Sequence, residues 1–281
     1  MTWLKALVDY EFARLRRKKS FYILVLLTLL PIVMVGVAKA MGAGIEYQDD
    51  LWAFLLGAKV NIYAGVLITP LSFLWIIGVL FGGDLLASEV EDGSIGLLAS
   101  KPVSRLQIVV GKVVALLALF VVYYAASTAF SIVAARAAGG GLDNLEYAPL
   151  ILLVAVVSTL GFAMLAACIG AYLGKTMPAI LLSIAVYIST GILISVASFM
   201  SVKDPEAMVN YIAKASMLVP LTSLESWTYF TYARLTGSAT LFADIGAELL
   251  DKYYPYTTLE SLATVAVLLL AAYKAYSSKD F

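Results

Sequence analysis

Six stretches of about twenty apolar residues recur along this 281-residue chain, at 21–40, 60–81, 108–135, 150–174, 179–200 and 259–276. That feature constrains the fold more than any other, because roughly twenty apolar residues are what a helix needs to cross a hydrocarbon layer about 30 Å thick. Composition agrees: 62% of residues are hydrophobic, only 14% are charged, and mean hydropathy is +0.93. The expected fold is an all-α integral membrane protein with six transmembrane helices in a single domain, 1–281. The first stretch ends in "VAKAM", which has the look of a leader-cleavage site. The polar segment before it is too long for the charged region of such a leader, so 21–40 is read as a span.

Orientation follows from Lys and Arg near the span ends. With the N-terminus inside, twelve of the nineteen basic residues fall on the inner side, and the short outer segments hold only Lys39, Lys59 and Arg136. Both termini are expected in the cytoplasm, in a plasma membrane. There is no histidine and only one cysteine, Cys168. Histidine-dependent hydrolysis, zinc chemistry and an intrachain disulfide are therefore excluded. No metal site and no nucleic-acid partner are expected.

Residues 1–19 read as a helix lying in the membrane interface. Trp3, Leu4, Leu7, Val8, Phe12 and Leu15 gather on one face, and Arg16 and Arg17 lie elsewhere. Glu11 and Arg14 intrude on the apolar face three residues apart, a spacing at which they can pair. The extracytoplasmic segment 201–257 reads as helical. It contains "KDPEAMVNYIAKASML", "SLESWTYFTYARL" and "ADIGAELLDKYY", and its aromatic residues, Trp227 among them, suit the outer headgroup level. Thr257 and Glu260 have the spacing of a capping box that would start the last span.

"GAYLGKT" at 170–176 resembles a phosphate loop but has three residues where four are required, and no strand precedes it. Gly170 and Gly174 instead form a GxxxG pair for close helix packing, as do Gly78 and Gly82. Asn61, Tyr63, Tyr123, Tyr124, Tyr187, Ser189 and Thr190 are candidate pathway residues, since polar groups in a membrane face a bundle interior or a cavity. Hydrogen bonding between helices accounts for any one of them equally well.

Between the second and third spans, 83–107 holds an acidic lead with Glu89, Glu91 and Asp92, a break at Gly93, and Ser94 as a cap. An apolar patch with Ile95, Leu97 and Leu98 follows, then Pro102 and Arg105. Apolar side chains set among charges, in a segment too short for a core of its own, require a protein partner. The run "EVEDGSIGLLASKPVSRLQIVVGK" resembles ABC-2 type transporter permeases, through Glu89, Glu91, Asp92, Gly93, Leu97, Leu98, Pro102, Val103, Ser104, Arg105, Gly111 and Lys112. "DYEFARLRRKKSFYILVLL" resembles the elbow helix of the same family, with Glu11 at its acidic position. Short permeases of the nitrous-oxide-reductase maturation group are the likeness within it.

The resemblance implies that 83–107 is a coupling helix docking on a separate ABC ATP-binding subunit. Two such subunits would bind ATP and Mg, so that this chain needs no cofactor and is not an enzyme. It further implies a second permease chain, with export of a substrate along the shared interface. Two other readings stand beside it: a mechanotransmitter driving an extracytoplasmic partner through 201–257, and a stand-alone secondary carrier, which would need a mid-membrane ion site or an inverted repeat.

Overall fold

A computed structural model describes residues 2–40, 74–93, 104–137, 147–201, 221–236 and 247–279. Those residues form α1 (Thr2–Arg16), α2 (Lys19–Ala40), α3 (Leu74–Leu85), α4 (Ala87–Glu91), α5 (Arg105–Ala137), α6 (Ala148–Leu173), α7 (Thr176–Ser201), α8 (Leu221–Thr236) and α9 (Ala247–Ser277). Among the described residues three segments are long and apolar enough to cross a membrane: Arg105–Val133, Ala148–Leu173 and Tyr253–Ser277. Lys19–Leu29 and Thr176–Thr190 are shorter apolar helical stretches within the expected first and fifth spans. Most of the expected second span, with Asn61 and Tyr63, lies outside the described residues.

The bundle is organised around α6, which packs against α3, α5, α7, α8 and α9. Small side chains make this possible: Ala155, Ala163, Ala166, Ala167 and Ala171 on α6 are fully buried. Gly78 and Gly82 of α3 face them at backbone distance. A methyl group at Gly78 would stand 2.6 Å from the Thr159 carbonyl oxygen, and one at Gly82 only 2.0 Å from that of Ala163. The expected close approach is therefore present, with α6 as its partner. Gly170 packs the other way, near Ala87, Gly83 and Ala179.

Gly174 has an additional role, because it caps α6 with a φ of +67° and donates its N–H to the Gly170 carbonyl at 2.8 Å. Only two residues, Gly174 and Lys175, separate α6 from α7. A left-handed cap without a side chain lets the chain reverse that sharply.

One expectation about the C-terminal third is corrected. Thr257 does not start a helix: α9 begins at Ala247 and runs unbroken through Pro255. Past the proline, Thr257 and Thr258 donate their hydroxyls to the Tyr253 and Tyr254 carbonyls of the preceding turn at 3.1 and 2.8 Å. The helix α8 packs into the bundle, and Trp227 is buried there. Hydroxyls knit α8 in place: Thr228 to Ser158 at 3.0 Å, and Ser261 to the Ser223 carbonyl at 3.0 Å. Such bonds replace hydrophobic driving force where the solvent is lipid. The segment 202–220 is outside the described residues.

Candidate functional site

One end of the bundle gathers the end of α1, the start of α2, the end of α3, α4, the start of α5, the α6–α7 turn and the end of α9. The amphipathic pattern of α1 dictates its seat there. Leu15 is buried, Phe12 is half-buried against the core, and Leu7 lies over Gly111, where any side chain would collide with it. That seating carries Glu11 inward with the apolar face, to 1% exposure.

Lys112 receives it. Two turns into α5, roughly 10 Å from the helix start at 1.5 Å per residue, its side chain is fully buried. Its ammonium donates to the Leu85 carbonyl at 3.0 Å and pairs with two carboxylates, Glu89 Oε1 at 2.6 Å and Glu11 Oε1 at 3.0 Å. Arg14 closes the group, 3.2 Å from Glu11 Oε2, 3.3 Å from Glu89 Oε1 and 3.3 Å from Ser88 Oγ. Two carboxylates and two cations thus neutralise one another out of water, which is what makes burying any of them tolerable. The Tyr276 phenol of α9, itself buried, stands within electrostatic reach of Glu89 and Glu11. Lys18 and Asp84 form a further pair linking the start of α2 to α3.

Helix phase explains how the five residues of α4 serve both sides. At 3.6 residues per turn, Glu89 and Glu91 lie on opposite faces. Glu89 turns in to Lys112 and Arg14, while Glu91 turns out and accepts the Thr176 N–H at 2.9 Å, capping α7. That amide, then the Thr176 side chain, hold the Glu91 carboxyl below its usual 4.5 against an opposing effect of desolvation, and the charge of Lys175 adds a lesser pull. The backbone N–H of Asp92 closes α4 on the Ser88 carbonyl at 2.8 Å, and Gly93 follows in the left-handed region at φ +67°. The acidic lead and the break at Gly93 are therefore where the sequence pattern puts them.

The chain then enters 94–103, outside the described residues, with Ser94, Ile95, Leu97, Leu98 and Pro102. It returns at Ser104, which forms a reciprocal capping box with Gln107. The Gln107 N–H donates to Ser104 Oγ at 3.2 Å, and the Ser104 N–H to Gln107 Oε1 at 2.9 Å. Arg105 donates to the carbonyls of Ser277 and Lys279 at 2.5 and 2.8 Å, tying α5 to the end of α9. Lys279 Nζ in turn reaches the Tyr172 carbonyl at 2.9 Å.

Burial bears on one expected partner contact. Glu89 is 2% exposed and faces the interior, so it positions the segment and presents nothing outward. Arg105 is exposed, with its Nη1 donating to its own chain's carbonyls. Glu91, Asp92 and Gly93 remain on the surface. Among the elbow residues, Glu11 and Arg14 pair as their spacing predicts, and Arg16 and Arg17 stay exposed.

Sequence reasoning singled out Lys112 only as part of the resemblance and gave it no place in this site, and it missed the Ser104–Gln107 box. Their signals were a lone lysine early in an apolar run and the S-x-x-Q pattern before it.

Among the described residues, the candidate pathway side chains do not gather in one place. Tyr124 and Tyr123 are buried on α5, and Tyr124 is 2.6 Å from Thr159 Oγ1. Tyr187 of α7 stacks on Trp75, centroids 4.1 Å apart, and meets the edge of Phe162 at 5.9 Å. Ser189 and Thr190 bond carbonyls of their own helix, those of Ala185 and Tyr187, at 2.9 and 2.7 Å. Thr159 and Phe162 are one turn apart on α6, so these contacts hold α5 and α7 to the hub.

Compared with known proteins, residues 6–281 match the family model described as ABC-2 family transporter protein, nearly the whole chain. No curated protein matches it.

Proposed function

Since the chain belongs to the ABC-2 family of transporter proteins and is a multi-pass membrane permease component of an ABC transporter, we propose that 83–107 is the lever through which ATP-binding subunits drive it. A permease of this family is not itself catalytic; ATP hydrolysis belongs to separate ABC subunits with which it associates. The proposed working unit has two of those subunits, each binding ATP and Mg, and two permease chains. In it the chain crosses the plasma membrane six times, with both termini in the cytoplasm, and exports its substrate.

One observation carries this reading: both ends of 94–103 are fastened to the bundle. On entry, Glu89 joins α4 to α1 and α5, and Glu91 joins it to α7. On exit, Arg105 joins α5 to the end of α9. A displacement of the loop by a partner is therefore delivered to four helices through short polar contacts, where a slack loop would absorb it. Glu91, Asp92 and Gly93 supply the exposed margin of the docking surface, and Ile95, Leu97 and Leu98 its apolar centre, about 1.5–3 kcal/mol for each leucine fully covered.

Leu98→Asp tests the proposal. The variant chain is expected to fold and insert as the wild type does while losing stimulation of the partner's ATPase. A complex of Leu98→Asp that assembles and is stimulated normally refutes the docking role.

A further inference from the structure

The basic run at the end of α1 divides its charges. Arg14 turns to Glu11 and Glu89, and Lys18 to Asp84. Arg16 and Arg17 are exposed and, among the described residues, make no ion pair or side-chain hydrogen bond. With Phe12 and Ala13 they line a cleft of about 310 Å³. The main chain is fixed there, since the Arg17 N–H donates to the Arg14 carbonyl at 3.2 Å and Arg14 is locked into the buried charge group. Immediately beyond, α2 begins, with Tyr22, Ile23, Val25 and Leu26 exposed.

From this we infer that the cleft is a binding site for the phosphodiester headgroup of an anionic phospholipid. Two neighbouring guanidiniums suit a phosphate better than any other common anion, because their planar forks donate in pairs. The Phe12 ring and the Ala13 methyl line the same cleft, so the ligand has an apolar flank beside its charge. The volume is at the lower limit for small-molecule sites. It holds a headgroup and leaves acyl chains outside, against apolar surface such as that exposed on α2. The site also stands where a surface-lying helix turns into an apolar one, the depth at which headgroups lie.

A lipid held there would brace α1, and with it the Glu11 and Arg14 that grip Lys112 and Glu89. The inference does not rest on the identity of any ATP-binding partner.

Binding of fluorescent phosphatidylglycerol and of phosphatidylcholine with the same acyl chains to the purified full-length chain in neutral detergent tests it. Phosphatidylglycerol is expected to bind more tightly. R16Q/R17Q should weaken it roughly thirty-fold, the equivalent of about 1 kcal/mol for each arginine near an anionic surface, and leave phosphatidylcholine unchanged. R16K/R17K, which keeps the charge, should retain most of the affinity. Ala13→Trp should also lower it by filling the cleft, which keeps the inference testable if the double variant folds poorly.

Equal affinity for the two lipids, or undiminished phosphatidylglycerol binding in both R16Q/R17Q and Ala13→Trp, overturns the inference. So does complete displacement by millimolar inorganic phosphate, which would mark a site for a bare anion. Loss of an ATP-binding subunit from R16Q/R17Q with lipid binding intact would assign the cleft to a protein partner and overturn it equally.

Discussion

Replacing Lys112 by methionine removes a cation and keeps an apolar stem of similar length. Three oxygens lose the ammonium at once, Glu89 Oε1, Glu11 Oε1 and the Leu85 carbonyl, at 2.6, 3.0 and 3.0 Å, and of these Glu89 Oε1 keeps Arg14 at 3.3 Å. Only Arg14 then remains to balance Glu11 and Glu89, both nearly fully buried. Leaving a buried charge without its partner costs about 3–5 kcal/mol, a large share of the roughly 5–15 kcal/mol that separates a typical folded domain from its unfolded state. K112M should therefore lower unfolding free energy by that amount, measured by reversible denaturation of the full-length chain in mixed micelles.

The double variant K112M/E11Q restores neutrality and should recover part of the loss, with a coupling energy of about 0.5–3 kcal/mol. The restoration separates a charge effect from a packing effect. A K112M chain within about 0.5 kcal/mol of the wild type would refute the reasoning, as would a double variant no more stable than K112M.

Gly82→Ala places a methyl group 2.0 Å from the Ala163 carbonyl oxygen, so α3 and α6 must part. A loss of at least about 1–3 kcal/mol is expected in the same denaturation assay. Tyr124→Phe removes the 2.6 Å contact with Thr159 Oγ1 and should cost about 0.6 kcal/mol, the average for such bonds between membrane helices; a double-mutant cycle with Thr159→Val measures it. The Glu91 carboxyl is held below its usual 4.5 by the folded chain, so its capping of α7 is fully present above that pH and is lost as pH falls through the lower folded-state value. Hydrogen exchange at the Thr176 amide should accelerate across that acid range in the wild type, and be fast and pH-independent, apart from intrinsic exchange, in Glu91→Ala, which removes the acceptor.

Apolar run length made the helical membrane fold legible, since a lipid solvent leaves a chain of this hydropathy few alternatives. The pairing of Glu11 with Arg14 was legible too, because both lie on one turn of one helix. The placement of Glu89 was not. Its sequence neighbours are acidic and solvated in pattern, and only the arrival of Lys112 and Arg14 from two other helices turns it inward. Arg105 escaped for a similar reason, because its acceptors are main-chain carbonyls 172 and 174 residues away, which leave no side-chain signature. At Pro255 the local rule misled: proline ends most helices, and here packing against α6 and α8 carries the helix past it. The burial of Trp227 was hidden because α8 presents hydroxyls to α6 and α9, and a polar helix reads as a solvated one.

Site-specific photo-cross-linking from Ile95 or Leu97 in the membrane of the native host tests the lever most directly. The account predicts capture of an ABC ATP-binding subunit, at a yield that changes when ATP is supplied. Capture of lipid or of the chain's own helices alone, from both positions, would contradict it.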